Sequence, residues 1–216
     1  MTPTGLRDQR LRPRKTPRQA RAHETRARIL DSARGVFGAH GYAAGTTNRI
    51  AAAAGMSVGS LYQYFPNKDA ILVELVDEHV DDGARRVRAA VAEVLAAAEP
   101  DLPPLDVLVD TVAREMVAVH TADRRLHRVL FEEAPRPAEL LARLGWLEDG
   151  LVSEVAGLLA RHPEVRVADP LVAGRMVVVT IESLVHRVVT NERSGIADEQ
   201  FRAELVRLVT GYLRGG

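Results

Sequence analysis

Between Thr46 and Lys68 the chain gathers small, hydroxyl and amide side chains at helix-capping spacings. Thr46 or Thr47 offers an N-cap hydroxyl to a short helix that carries Ile50, Ala51 and Ala54 inward, and Gly55 ends it. Ser57 then caps a second helix, Val58–Phe65, whose Leu61 and Phe65 face the core. Val58, Gly59, Ser60, Tyr62, Gln63 and Tyr64 are left on its other surfaces. Thr47 and the exposed first-turn amides suit a phosphate, because helix N-termini favour anions. Asn48 suits phosphate or base. Val58 and Ser60 can meet thymine methyls and base edges, Gln63 can read adenine, and Gly59 lets backbone approach closely. Tyr62 and Tyr64 each offer a ring for packing and a hydroxyl for phosphate. Asn67, after Pro66, caps the next helix and sets Lys68 in its first turn, where an ammonium meets a backbone phosphate. This is the chemistry of duplex DNA recognition.

The same stretch contains Gly55-Met56-Ser57-Val58-Gly59, which fits the G-x-S-x-G elbow of serine hydrolases. That elbow needs a strand before the serine. Ile50-Ala51-Ala52-Ala53-Ala54 precedes it instead, a good helix and a poor strand, so Ser57 is expected to cap rather than attack. A hydrolase stands only as a remote alternative, and no catalytic residue is expected.

The elements that must hold these residues are helices. Prolines stand only at 3, 13, 17, 66, 100, 103, 104, 135, 137, 163 and 170. The intervals between them are rich in Ala, Leu, Arg and Glu, with few strand signals, so the fold is expected to be all-α. Ile29, Leu30, Ala33, Val36 and Phe37 make one buried stripe from Thr25 onward, and Gly41 is available for a left-handed helix end. A two-turn helix, a glycine turn and a second short capped helix form a helix-turn-helix, whose second helix lies in the major groove.

The formal charge is zero, yet residues 1–70 hold 12 basic and 4 acidic side chains, net +8, and the remainder is net −8. A basic head on an acidic body points to a polyanion-binding segment. Three domains are expected: a flexible basic arm at 1–22, a three-helix DNA-binding domain at 23–70, and a helical effector-binding and dimerisation domain at 71–216. The absence of cysteine excludes a disulfide framework and fits a cytoplasmic location. No apolar run approaches the roughly 18–20 residues of a membrane span. The N-terminus lacks the apolar core of a secretory signal.

The run Thr46-Thr47-Asn48-Arg49-Ile50-Ala51, with Gly55 through Lys68, resembles the DNA-binding signature of TetR-type (tetracycline-repressor-like) transcriptional regulators. The resemblance spans about His23 to Leu75. It implies that the helix from Ser57 to Tyr64 enters the major groove, and that Thr47, Tyr62, Tyr64 and Lys68 contact phosphates. Tyr64 stands where many members carry His, and Pro66 where many carry Ser; neither breaks the geometry. Beyond about residue 80 only the helical layout matches, as suits the family's variable ligand-binding half.

In that half, Leu105–Thr121 and Arg124–Ala134 read as helices, and Leu140, Leu144, Leu147, Leu151, Val155 and Leu158 as one core stripe. Residues 171–189 are apolar almost all round, and Phe201, Leu205, Leu208, Val209, Tyr212 and Leu213 stripe the last helix. These last two helices are expected to pair with their copies in a homodimer through Leu171, Val178, Leu184, Phe201, Leu205, Leu208 and Tyr212, as the resemblance implies. Polar or adaptable residues that interrupt apolar faces mark a pocket: Met116, His120, His127, Phe131, Trp146, Met176, Glu182 and His186. The seven histidines form no H-E-x-x-H or i,i+4 pair, so neither metal nor cofactor is expected. The expected partners are double-stranded operator DNA, a small apolar effector and a second copy of the chain. The function expected is a homodimeric repressor released from its operator by that effector. The alternative is a constitutive DNA-binding regulator whose body binds a protein partner.

Overall fold

The computed structural model describes residues 17–133, 135–189 and 195–216, and among them all regular structure is helical. The order is α1 (Pro17–Ala44), α2 (Thr47–Ala53), α3 (Val58–Tyr62), α4 (Lys68–Ala98), α5 (Leu105–Thr121), α6 (Arg124–Arg128), α7 (Ala138–Leu159), α8 (Pro170–Leu184) and α9 (Asp198–Arg214). One π-helical turn, Val129–Glu133, continues α6, and another, Val185–Val189, continues α8.

Residues 17–22 of the arm expected at 1–22 are helical. Its residues 1–16 lie outside the described residues, but α1 already begins at Pro17. A proline at the first helical position needs no hydrogen-bonded N–H, and the Ala and Arg that follow propagate helix well. The expected stripe of Ile29, Leu30, Ala33, Val36 and Phe37 is buried. Helical geometry breaks at Gly41, whose φ of 73° no side-chain-bearing residue adopts cheaply. The chain then resumes as far as Ala44.

Two apolar cores result. One joins α1–α4 to Leu126, Val129 and Leu130 of α6 and its π turn and to Leu140 of α7. The other joins α5, α8 and α9 around Ala113, Val177, Ile181, Leu205 and Val209. The stripe read along α7 turns out differently. Only Leu140 of it is buried, and the fully buried face is Val152, Ala156 and Leu159. That face packs on α8 at Gly174, while Leu144, Leu147, Leu151, Val155 and Leu158 line a cavity. A wall facing empty space has the same apolar spacing as one facing a core, so periodicity does not separate them.

Candidate nucleic-acid interface and ligand cavity

The head is built from caps. Thr46, not Thr47, caps α2, its hydroxyl accepting the Arg49 N–H at 3.3 Å. Thr47 is thereby the first helical residue, and its hydroxyl lies 3.2 Å from the Tyr62 hydroxyl. The α2–α3 turn passes through Gly55 at φ 66°. Ser57 accepts the Ser60 N–H at 3.1 Å and its Oγ also lies 2.9 Å from that of Ser60. That serine is therefore a cap, and no strand stands before it to make an elbow. α3 is shorter than expected and closes at Tyr62, with Gln63 as its C-cap, although Leu61 and Phe65 are both buried as read. Asn48, Ser57, Gly59, Tyr62 and Gln63 are exposed, whereas Val58, Ser60 and Tyr64 are half-buried. Asn67 caps α4 by accepting the Ala70 N–H at 2.8 Å.

Lys68 is less simply placed than the sequence suggests. Its Nζ donates to the Tyr42 carbonyl at 2.8 Å and sits 3.8 Å over the Tyr42 ring. The Tyr42 hydroxyl in turn donates to Asp69, and burial together with that carboxylate pushes its pKa up to about 12. The ammonium already has a cation–π partner and a carbonyl, so a phosphate contact would be shared. Arg26 reinforces the same corner: it pairs with Glu74 and lies 4.4 Å over the Phe65 ring.

A cavity of about 1670 Å³ opens in the body between α4, α5, α7 and α8. Its wall is mostly Val, Leu and Ala, with Arg88, Arg128, Arg136, Arg161 and Arg187 among its charged residues. Of the pocket residues read from sequence, Met116, His120, Phe131, Glu182 and His186 line it. His127 lies behind that wall, buried, its ring stacked 4.4 Å from Phe131. Trp146 and Met176 are not in the pocket. They are 70% and 52% exposed on the outer faces of α7 and α8, because the helical phase that puts Leu144 and Val177 inward turns them out. Glu182 is reached by solvent through the cavity, yet crowding by the protein and by Glu148 raises its carboxyl above the usual range.

Four histidines far apart in sequence meet on the cavity's edge. His127 Nε2 is 3.0 Å from His186 Nδ1, and His127 Nδ1 is 3.3 Å from His79 Nε2. The ring centres of His120 and His127 are 4.4 Å apart. Burial, then the neighbouring imidazoles, lowers the pKa of His120 to about 4 and that of His127 to about 2. His186 falls to about 4 for the same first reason, and His79 is lowered too. All four are neutral at pH 7. Local histidine spacing does not reveal this group, since its members come from α4, α5, α6 and the turn after α8.

The dimer residues divide as well. Leu171, Leu208 and Tyr212 are exposed, alongside Val172, Met176 and Val179, an apolar surface on α8 and α9. Phe201 and Leu205 are buried in the second core, Val178 is buried at the cavity wall, and Leu184 is half-buried against that core. An all-apolar helix gives no phase from which to tell inner from outer residues.

The sequence matches two family models: that of the tetR family of bacterial regulatory proteins over residues 29–75, and the tetracyclin repressor-like C-terminal domain over residues 104–213. The chain belongs to the tetR family. It is 33% identical over 97 residues to the HTH-type transcriptional repressor KstR2 of Rhodococcus jostii (strain RHA1), a stretch covering 45% of this chain and 46% of that one. Among solved structures it is similar to the transcriptional regulator FadR from Bacillus subtilis in complex with stearoyl-CoA. That match has 22% identity and a TM-score of 0.66 and covers 85% and 97% of the two chains. It is similar also to AibR in complex with isovaleryl coenzyme A and operator DNA, at 19% identity, a TM-score of 0.62 and the same coverage. No helix among the described residues is long and apolar enough to cross a membrane.

Proposed function

We propose that the protein is a homodimeric transcriptional repressor that leaves its operator when an acyl thioester of coenzyme A fills the cavity. One observation carries the reading: α4 serves both parts. Its first turn is capped beside α3, and its later turns line the cavity from Val76 through Leu95. A ligand that pushes on this helix therefore moves the element that packs on α1 and is joined to the recognition helix through residues 63–67. The wall suits an acyl chain, and the exposed Arg128, Arg136 and Arg187 suit its phosphates. The volume exceeds the roughly 300–1,000 Å³ of common small-molecule pockets, as a long chain requires.

The exposed Leu171, Val172, Met176, Val179, Leu208 and Tyr212 are the surface through which two copies pair. Two heads then occupy successive major grooves, about 34–36 Å apart. Bound ligand acts through its different affinity for the DNA-competent state and the other one. The test begins by selecting bound duplexes from a random pool, then follows their anisotropy during titration with stearoyl-CoA and isovaleryl-CoA. A near-palindromic site released by one of the thioesters is expected. Operator binding insensitive to both would overturn the thioester and favour a body that answers to a protein partner.

A further inference from the structure

We propose that His120, His127 and His186 form a binding site for a divalent transition-metal ion, zinc in the first instance, with His79 orienting His127 from behind. One ring nitrogen from each of the three lies within 4.8 Å of the others. The hydrogen bonds select which. His120 Nδ1 donates to the Met116 carbonyl at 2.7 Å, which leaves the lone pair on Nε2. His127 Nδ1 lies 3.3 Å from His79 Nε2, and in the tautomer in which Nδ1 donates the lone pair is again on Nε2. His186 Nδ1 lies 3.0 Å from that nitrogen and donates to it in this tautomer, so an ion that enters between them moves the His186 proton to Nε2. A second hydrogen bond that fixes the tautomer and aims the ring is the usual accompaniment of a metal-ligating histidine.

Distances suit an ion of this size. Zinc–imidazole bonds of about 2.0–2.1 Å place tetrahedral ligand nitrogens about 3.3 Å apart. The His127–His186 pair therefore opens by a few tenths of an ångström, while the nitrogens within 4.8 Å of one another draw together to about 3.3 Å. Neutral imidazoles suit zinc, copper, nickel or iron and not magnesium or calcium, which prefer oxygen. The Phe131 ring, 4.8 Å from that of His186, gives the site an apolar flank.

Three uncharged ligands leave both positive charges of the ion in place and a fourth position open. His120 and His186 belong to the cavity wall, so that position is reached from the cavity, where water or an anionic group of a bound molecule completes the shell. The ion would also tie together α5, α6 and the turn after α8, and through His79 it would lean on α4. Metal binding thus stiffens the junction between the two cores.

The test uses the full chain, stripped of metal with a chelator and then freed of it, in the absence of DNA. It is therefore independent of the repressor reading. Titration with Zn²⁺ is expected to give one ion per chain, and Co²⁺ to give the intense visible bands of a four-coordinate ion. His120→Asn and His186→Gln should each weaken Zn²⁺ binding about 100-fold or more, while His23→Gln, at an exposed histidine of α1, leaves it unchanged. Circular dichroism establishes that each variant is folded. Should the cluster variants unfold, X-ray absorption on the zinc-loaded unmodified protein decides: imidazole nitrogens at about 2.0–2.1 Å are expected. Zinc affinity equal in the folded variants, or a zinc shell without imidazole scattering, would overturn the site.

Discussion

The carboxylate of Glu133, at the end of the π turn after α6, accepts the backbone N–H of Tyr42 at 2.9 Å. Tyr42 follows the left-handed Gly41, where α1 breaks, and a helix break leaves N–H groups without partners in their own helix. A body residue thus satisfies a backbone donor of the head. The head returns the contact through the apolar core, where Leu126, Val129 and Leu130 pack with Phe37 and Leu72.

Glu133→Ala should therefore cost about 1 kcal/mol of stability, the ordinary worth of a solvent-exposed hydrogen bond. Its larger effect should be on coupling, with the ligand concentration needed for operator release rising while DNA affinity of the free protein holds. Urea unfolding and ligand-titrated anisotropy measure the two quantities separately.

Gly174→Ala should destabilise the body. A Cβ there would lie 3.0 Å from the Val152 carbonyl and 3.2 Å from the Ala156 nitrogen, both backbone atoms of α7 that cannot swing aside. The clash should outweigh the helix propensity gained and cost about 1–3 kcal/mol. Gly157→Ala, also helical but with nothing within 4 Å of its Cβ, should instead gain up to about 1 kcal/mol. Opposite shifts in thermal midpoint are the expected result.

Gln63→Ala should lower discrimination between the selected operator and its base-substituted variants while changing affinity for random duplex little. Lys68→Ala should weaken all duplexes alike and shrink the salt slope by about one charge. Because Lys68 also holds the Tyr42 carbonyl and ring, its loss should lower the melting temperature, which loss of Gln63 should not. Competitive anisotropy at several salt concentrations, beside thermal melts, separates the roles.

Stability should fall in acid through Glu164. Its carboxylate accepts the Leu105 N–H at 3.0 Å and pairs with Arg214, and these contacts hold its pKa below the usual carboxylate value. A depressed folded pKa means that the unfolded chain takes up the proton first. The contribution is thus present above the unfolded value of about 4.3 and is lost as pH falls through the folded one. Glu164→Gln should flatten the pH dependence of the urea midpoint in that window, leaving values near pH 3 little changed.

Capping residues made the head legible in sequence. Ser57, Asn67 and Thr46 each bind a backbone N–H within three residues, so type and spacing state the geometry. The body yielded its helices and not their facing. Leu105–Thr121 appears as read, whereas the α7 stripe lines a cavity and Phe201 lies in the core. A leucine that meets solvent, a ligand, a core or another copy is the same leucine. The histidine cluster was illegible for a different reason. It depends on how four helices are stacked, and no local pattern records that.

The first core does not stop where the charge changes sign. Its leucines at 126, 130 and 140 belong to the acidic portion, yet they close the same interior as Ile29 and Phe37. A fragment cut near residue 70 would thus carry the side chains proposed to read DNA while leaving Ile29 and Phe37 without the leucines that close their core. The head is not a portable module. To graft it onto another sensor, α6 and the start of α7 would have to travel with it.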